Sequence, residues 1–176
     1  MNDEADLPRS GKTHRPVHLR PAAIADVPLI LDFIRELAEY ERMSPDVVAT
    51  EDGLRDALFG AQPAAEVILA EAGADPVGFA LYFHNFSTFA GRRGLYLEDL
   101  FVRPPWRGRG VGLALLRRLA AIATERGCCR LEWVVLDWNA PAIGFYERLG
   151  ATPMSDWTVF RLQGDALRRL AEPPPE

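Results

Sequence analysis

The stretch "LYLEDLFVRPPWRGRGVGLALLRRLA", Leu95 to Ala120, decides how this chain folds. It opens with the apolar, β-branched and aromatic character of a strand. Pro104 and Pro105 then interrupt regular structure. Arg107, Gly108, Arg109 and Gly110 alternate arginine with glycine, Val111 and Gly112 follow, and leucines at helical spacing come next. A strand that feeds a helix through a glycine-rich turn exposes backbone N–H groups at the helix start, where the helix dipole favours an anion. Glycine lets that anion approach because no Cβ intervenes, and the two arginines add positive charge. The stretch therefore predicts a phosphate site. It is not a P-loop, since the GxxxxGK[ST] lysine is missing. Nor does it fit the dinucleotide fingerprint, whose third glycine would fall one residue later and whose strand would open a parallel sheet.

Working outward, "VHLRP" (17–21) reads as a short strand, and residues 25–42 as a helix with Asp26 as N-cap and Pro28 in its first turn. Thr50 caps a second helix carrying Leu54, Ala57 and Leu58 and ended by Gly60. Segments 66–72, 77–85 and 95–102 then form a three-stranded meander. A helix over 111–126 closes at Gly127, and 130–138 reads as the next strand. Asn139 caps a helix that Gly150 terminates, 157–162 reads as a last strand and 165–171 as a final short helix. This order predicts an α/β (α+β) domain with a mixed, mostly antiparallel sheet flanked by helices, containing one right-handed parallel crossover after residue 102.

At 176 residues and 48% hydrophobic, the chain is long enough for one core, expected over 17–171. Residues 1–16 read as a flexible extension and 172–176 as a proline-rich tail. A net charge of −5 argues against nucleic acid as partner, and the lack of a long apolar run argues against a membrane. Cys128 and Cys129 are adjacent and without metal-ligand spacing, so no metal is expected and a reducing cytoplasm is. Glu98 and Asp99 interrupt the strand before the glycine loop. Simple alternation sends them to opposite faces, so at least one points into the protein or a cleft.

The pattern Arg107-x-x-Gly110-x-Gly112, preceded by "YLEDLFV" and followed by "VVLDWNAPAIGFYERLGA", resembles the pyrophosphate loop of the GNAT superfamily of N-acetyltransferases. The resemblance covers Leu19 to Ala171 and is closest to the diamine (spermidine/spermine) N-acetyltransferases and their thialysine-acetylating relatives. It implies acetyl-CoA as cosubstrate, a small amine as acceptor and a homodimer. It implies that residues 107–112 take the pyrophosphate, and that Leu100, Phe101 and Val102 meet the acetyl and pantetheine portion through main-chain groups. By the same comparison Glu98 faces the acceptor amine as base or anchor, and Asp99 looks structural. Tyr146, which by pattern alone is a packing residue on an amphipathic helix, matches the tyrosine beside the coenzyme sulfur. Asn139 matches a coenzyme contact, though its N-cap position is an equally good reason for it. Tyr40, Glu41, Glu132, Trp133 and Asp156 match positions lining the acceptor groove.

Two departures bear on the acceptor. Ala142 stands where those enzymes carry a serine, and "STFAGRRG" brings Phe89 and two arginines toward the groove. Positive charge there fits a long polycation poorly, leaving a short diamine, an amino-acid-like amine such as thialysine, or another small amine. A protein N-acetyltransferase and a non-catalytic acyl-CoA sensor are the alternatives.

Overall fold

Apolar periodicity acts as expected in the first helix, and two of the three expected N-caps, Thr50 and Asn139, make their capping bonds. The computed structural model describes residues 15–173. Most of the extension expected at 1–16, and the last three residues of the tail, lie outside the described residues. Strand β1 (Val17–Pro21) leads through a 3-10 turn into α1 (Val27–Glu41), which buries Val27, Ile30, Leu31, Phe33 and Ala38 along one face. Asp26 occupies the N-cap position but makes no capping bond. Its carboxylate accepts instead from the Ala23 N–H at 2.7 Å and from both terminal nitrogens of Arg20 at 2.6 and 2.8 Å. A charge-assisted, two-pronged pair outcompetes a neutral cap. In α2 (Glu51–Phe59) the Thr50 hydroxyl does accept from the Gly53 N–H.

Strands β2 (Glu66–Ala72), β3 (Asp75–Ser87) and β4 (Arg92–Val102) form the antiparallel meander, and β1 adds to β2 at its outer side. Helix α3 (Val111–Glu125) carries the chain across to β5 (Leu131–Glu132), which pairs parallel to β4. Strand order is β1-β2-β3-β4-β5. Both faces of the sheet are covered. Phe33 of α1 stacks on Phe79 of β3 with centroids 5.3 Å apart and meets Phe101 of β4 edge-on at 6.2 Å. On the other face α3 packs its buried Leu115, Leu116, Leu119 and Ile122. That double coverage explains the nearly unbroken apolar run "VILA" in β2.

Two expected strands are shorter or absent. The strand predicted at 130–138 is paired only at Leu131 and Glu132, and 157–162 forms no strand. A strand exists only where a neighbour supplies its hydrogen bonds, which β propensity alone does not provide.

The described chain divides into a first unit through Val134 and a second beginning at Val135. The second contains α4 (Ala140–Arg148) and α5 (Gly164–Ala171). Asn139 caps α4, its Oδ1 accepting from the Ala142 N–H at 3.3 Å.

Candidate functional site

The centre of the first unit's chemistry is an irregularity in β4. Leu97 pairs with Tyr82 and Asp99 with Leu81, so Glu98 has no partner across the ladder. It is the extra residue of a β-bulge, which bends the strand and re-aims its side chains. The ring contacts on either side show the change of phase. Tyr96 lies against Phe83 at 5.2 Å, while Phe101, five residues later, lies on the α1 face against Phe33. Phe83 shares that face with Phe79 by alternation. An odd separation on one face requires the slipped residue. The bulge thus replaces the expected split of Glu98 and Asp99 onto opposite faces: both are turned toward the side covered by α1.

Electrostatics agree. Asp99 is half-buried and its carboxyl is pushed up to about 7, first by burial and then by the charges of Glu98 and Glu41. Burial at the end of α1 also raises the Glu41 carboxyl. Glu98 itself is exposed. No ion pair among the described residues involves any of the three. Three neighbouring acids outside the described ion pairs form a site suited to a cation, and the Asp99 carboxyl is the one raised to about 7.

Beyond the strand, the loop leaves its backbone open to approach. Gly108 and Gly110 sit at φ 70° and 84°, in the left-handed region where a Cβ is penalised, and space around both is open. The first turn of α3 leaves N–H groups without intrahelical acceptors. Gly110, its N-cap, contributes no side chain to satisfy them, and no acid stands in that turn. Val111 is buried and anchors the helix start, with Gly112 beside it. The arginine side chains rest elsewhere. Arg109 lies over the Trp106 ring at 5.1 Å, and Arg107 lies over Tyr40 at 4.3 Å while its Nε donates to the Val102 carbonyl at 2.8 Å. The Val102 carbonyl thus accepts a hydrogen bond from within the protein.

The remaining expected residues fall in both units. In the first unit, Glu132 accepts from Asn85 Nδ2 at 2.8 Å and pairs with Arg130 Nε at 2.7 Å, so its charge is already matched. Trp133 follows it, half-buried. In the second unit Asn139 is buried as a cap, Tyr146 is half-buried with its ring 5.4 Å from Phe145, and Asp156 is exposed. Sequence reasoning missed the raised carboxyl of Asp99 and the aromatic seats of the two arginines. Adjacent acids inside an apolar strand are a signal for a bulge, but the register that makes one belongs to the pairing with β3.

Comparison with known proteins is consistent across the chain. Residues 31–151 match the Acetyltransferase (GNAT) family. A thialysine N-epsilon-acetyltransferase of Bos taurus is 40% identical over 166 residues, covering 88% of this chain and 97% of the relative. An L-ornithine N5-acetyltransferase of Arabidopsis thaliana is 34% identical over 197 residues, covering 86% of each. Among solved structures, an integron cassette protein from the mobile metagenome of V. cholerae superposes with a TM-score of 0.76 at 29% identity, over 89% of this chain and 98% of that one. With a bulged acidic strand feeding a bare glycine loop and an uncapped helix, the chain belongs to the GNAT acetyltransferase family and is an N-acetyltransferase.

Proposed function

We propose that the chain transfers the acetyl group of acetyl-CoA to the side-chain amine of a small amino-acid-like acceptor, with thialysine and ornithine the first candidates. The observation that carries this is the group Glu98, Asp99 and Glu41, acids outside every described ion pair, the first two on the strand that leads into the glycine turn. The names of the thialysine and ornithine relatives support the acceptor class. So does the pair Arg92 and Arg93, exposed on the β3–β4 hairpin, which suits an acceptor bearing a carboxylate better than a polyamine.

An alkyl ammonium has a pKa of about 10.4, so freeing its lone pair at pH 7 costs roughly 4–5 kcal/mol. Neighbouring carboxylates hold the ammonium and receive its proton, directly or through water. Glu98, exposed at the bulge, takes that role. Acetyl-CoA supplies the thioester carbonyl; a new N–C bond forms as the C–S bond breaks. The Leu100 N–H polarises that carbonyl as a single-donor oxyanion site. Tyr146 gives its phenolic proton to the departing thiolate, a role that rests on family resemblance. The loop 107–112 holds the pyrophosphate through its backbone, and Asn139 contributes to the same cosubstrate.

The same proposal includes a homodimer. Met154, Trp157, Val159, Phe160 and Leu162 are exposed in a segment of strand-forming composition that joins no strand among the described residues. Large apolar side chains grouped in this way mark an interface, and a second copy presents a β5 edge paired over only two residues. Light scattering on the whole chain and on a form ending at residue 152 tests this, with a dimer expected for the first alone. Cys128 and Cys129 stand as free thiols, which supports a reducing, cytoplasmic setting.

The decisive assay follows CoA thiol release with thialysine, ornithine, putrescine, spermidine and a short N-terminal peptide. Turnover concentrated on the two amino acids is expected, with Tyr146→Phe lowering kcat by about 10²-fold or more. Turnover of the peptide alone, or CoA binding without turnover of any amine, would overturn the acceptor assignment.

A further inference from the structure

Arg107 carries the motif arginine, yet its side chain is committed to the protein. Nε closes the end of β4 by donating to the Val102 carbonyl at 2.8 Å. The guanidinium carbon lies 4.3 Å from the centre of the Tyr40 ring and 5.6 Å from that of Phe101. Tyr40 stands in the last turn of α1 beside Glu41, and Phe101 is buried in the core shared with that helix. One planar group therefore touches the helix end that carries Glu41 and the strand that carries Glu98 and Asp99. The backbone of the same residue begins the glycine turn. A guanidinium seats on rings through its flat face, which a lysine ammonium does not reproduce. Anion binding in such a turn is supplied by backbone N–H groups and does not require this side chain.

We propose that Arg107 is a positioning residue that couples the phosphate turn to the acceptor end of α1. A phosphate that orders the turn fixes the Arg107 backbone, and with it the guanidinium between Tyr40 and Phe101. Filling the cosubstrate site thereby steadies Tyr40 and Glu41 for the amine. The proposal rests on the assignment of residues 107–112 to the acetyl-CoA pyrophosphate.

Hydrogen exchange of the backbone amides 38–46, measured with and without saturating CoA, tests the coupling without needing turnover. In the wild-type chain CoA is expected to slow exchange there by about 5-fold or more. Arg107→Lys keeps the charge and is expected to bind CoA by calorimetry within about 3-fold of wild type, yet to lose that protection. Tyr40→Leu should do the same, while Tyr40→Phe, which keeps the ring under the guanidinium, should retain the CoA-dependent protection. In steady state, Arg107→Lys should raise the acceptor KM about 10-fold with little change in the acetyl-CoA KM, and adding Tyr40→Leu should cost nothing more. Three results would overturn the proposal: no CoA-dependent protection in the wild type, full protection in Arg107→Lys, or a CoA affinity loss of about 10-fold or more in Arg107→Lys as the main effect. If CoA itself fails to bind the wild-type chain, the pyrophosphate assignment falls and the coupling falls with it. If CoA binds and protects but no amino acid is acetylated, only the acceptor assignment falls.

Discussion

Two acids on opposite faces of the sheet, Glu66 and Asp99, meet opposite surroundings. On the face covered by α3, Glu66 is held by both terminal nitrogens of Arg126, one of them at 2.7 Å, and accepts from the Tyr82 hydroxyl at 3.1 Å. Its carboxyl is driven below the usual range, chiefly by the bond to Arg126, while burial and the adjoining charge push the Tyr82 phenol up to about 12. On the face covered by α1, burial and the charges of Glu98 and Glu41 push Asp99 the other way, to about 7. An acid that has found its base within the fold serves the fold. An acid placed among other acids, with none among the described ion pairs, costs stability and is retained for what it binds.

The largest test of that contrast is a pair of neutralisations. Glu98→Gln should lower kcat/KM for the amine by about 10²-fold or more while leaving the thermal midpoint nearly unchanged. Glu66→Gln should leave turnover close to wild type and lower stability by about 1 kcal/mol, a fall in Tm of roughly 2–4 °C, since the pair is partly exposed. Loss of activity in Glu66→Gln with intact Glu98→Gln would reverse the assignment of the two faces.

Next in size is the pH dependence of folding, where the two acids act with opposite sign. Asp99 titrates higher in the folded chain than its ordinary 3.8, so between those values the native state binds the extra proton. Stability therefore falls as pH rises from about 4 to about 7, by at most about 1.4 kcal/mol per pH unit, and levels off above. Glu66 titrates lower than its ordinary 4.5, so its contribution is complete above that value and disappears as pH falls through the lowered native one. Urea midpoints measured from about pH 3 to pH 9 should show both limbs. Asp99→Asn should flatten the neutral limb alone, and Glu66→Gln the acid limb alone. A neutral limb that persists in Asp99→Asn would break the comparison.

The smallest effect is a proton count. A cation arriving beside Asp99 favours its ionised form, so acceptor binding near pH 7 should release about half a proton or less. Calorimetry in buffers of differing ionisation enthalpy reads this directly. The release should vanish in Asp99→Asn.

What the sequence determined by itself is what short-range physics decides. The helical spacing of α1 and α3, the Thr50 and Asn139 caps, the left-handed glycines at 127 and 150, and the strand, bare glycine turn and uncapped helix of residues 92–125 all follow from groups within a few residues of one another. The family followed from the same stretch. Only the tertiary structure decided the rest. Glu98 becomes a bulge because β3 and β4 pair on either side of it in two different registers, and no alternation within β4 contains that information. The seat of Arg107 lies on Tyr40, distant in sequence, so a residue assigned to an anion by its motif proves bound to an aromatic ring. Segment 157–162 has the composition of a strand and is not one, because a strand's hydrogen bonds belong to its neighbour and not to its own residues.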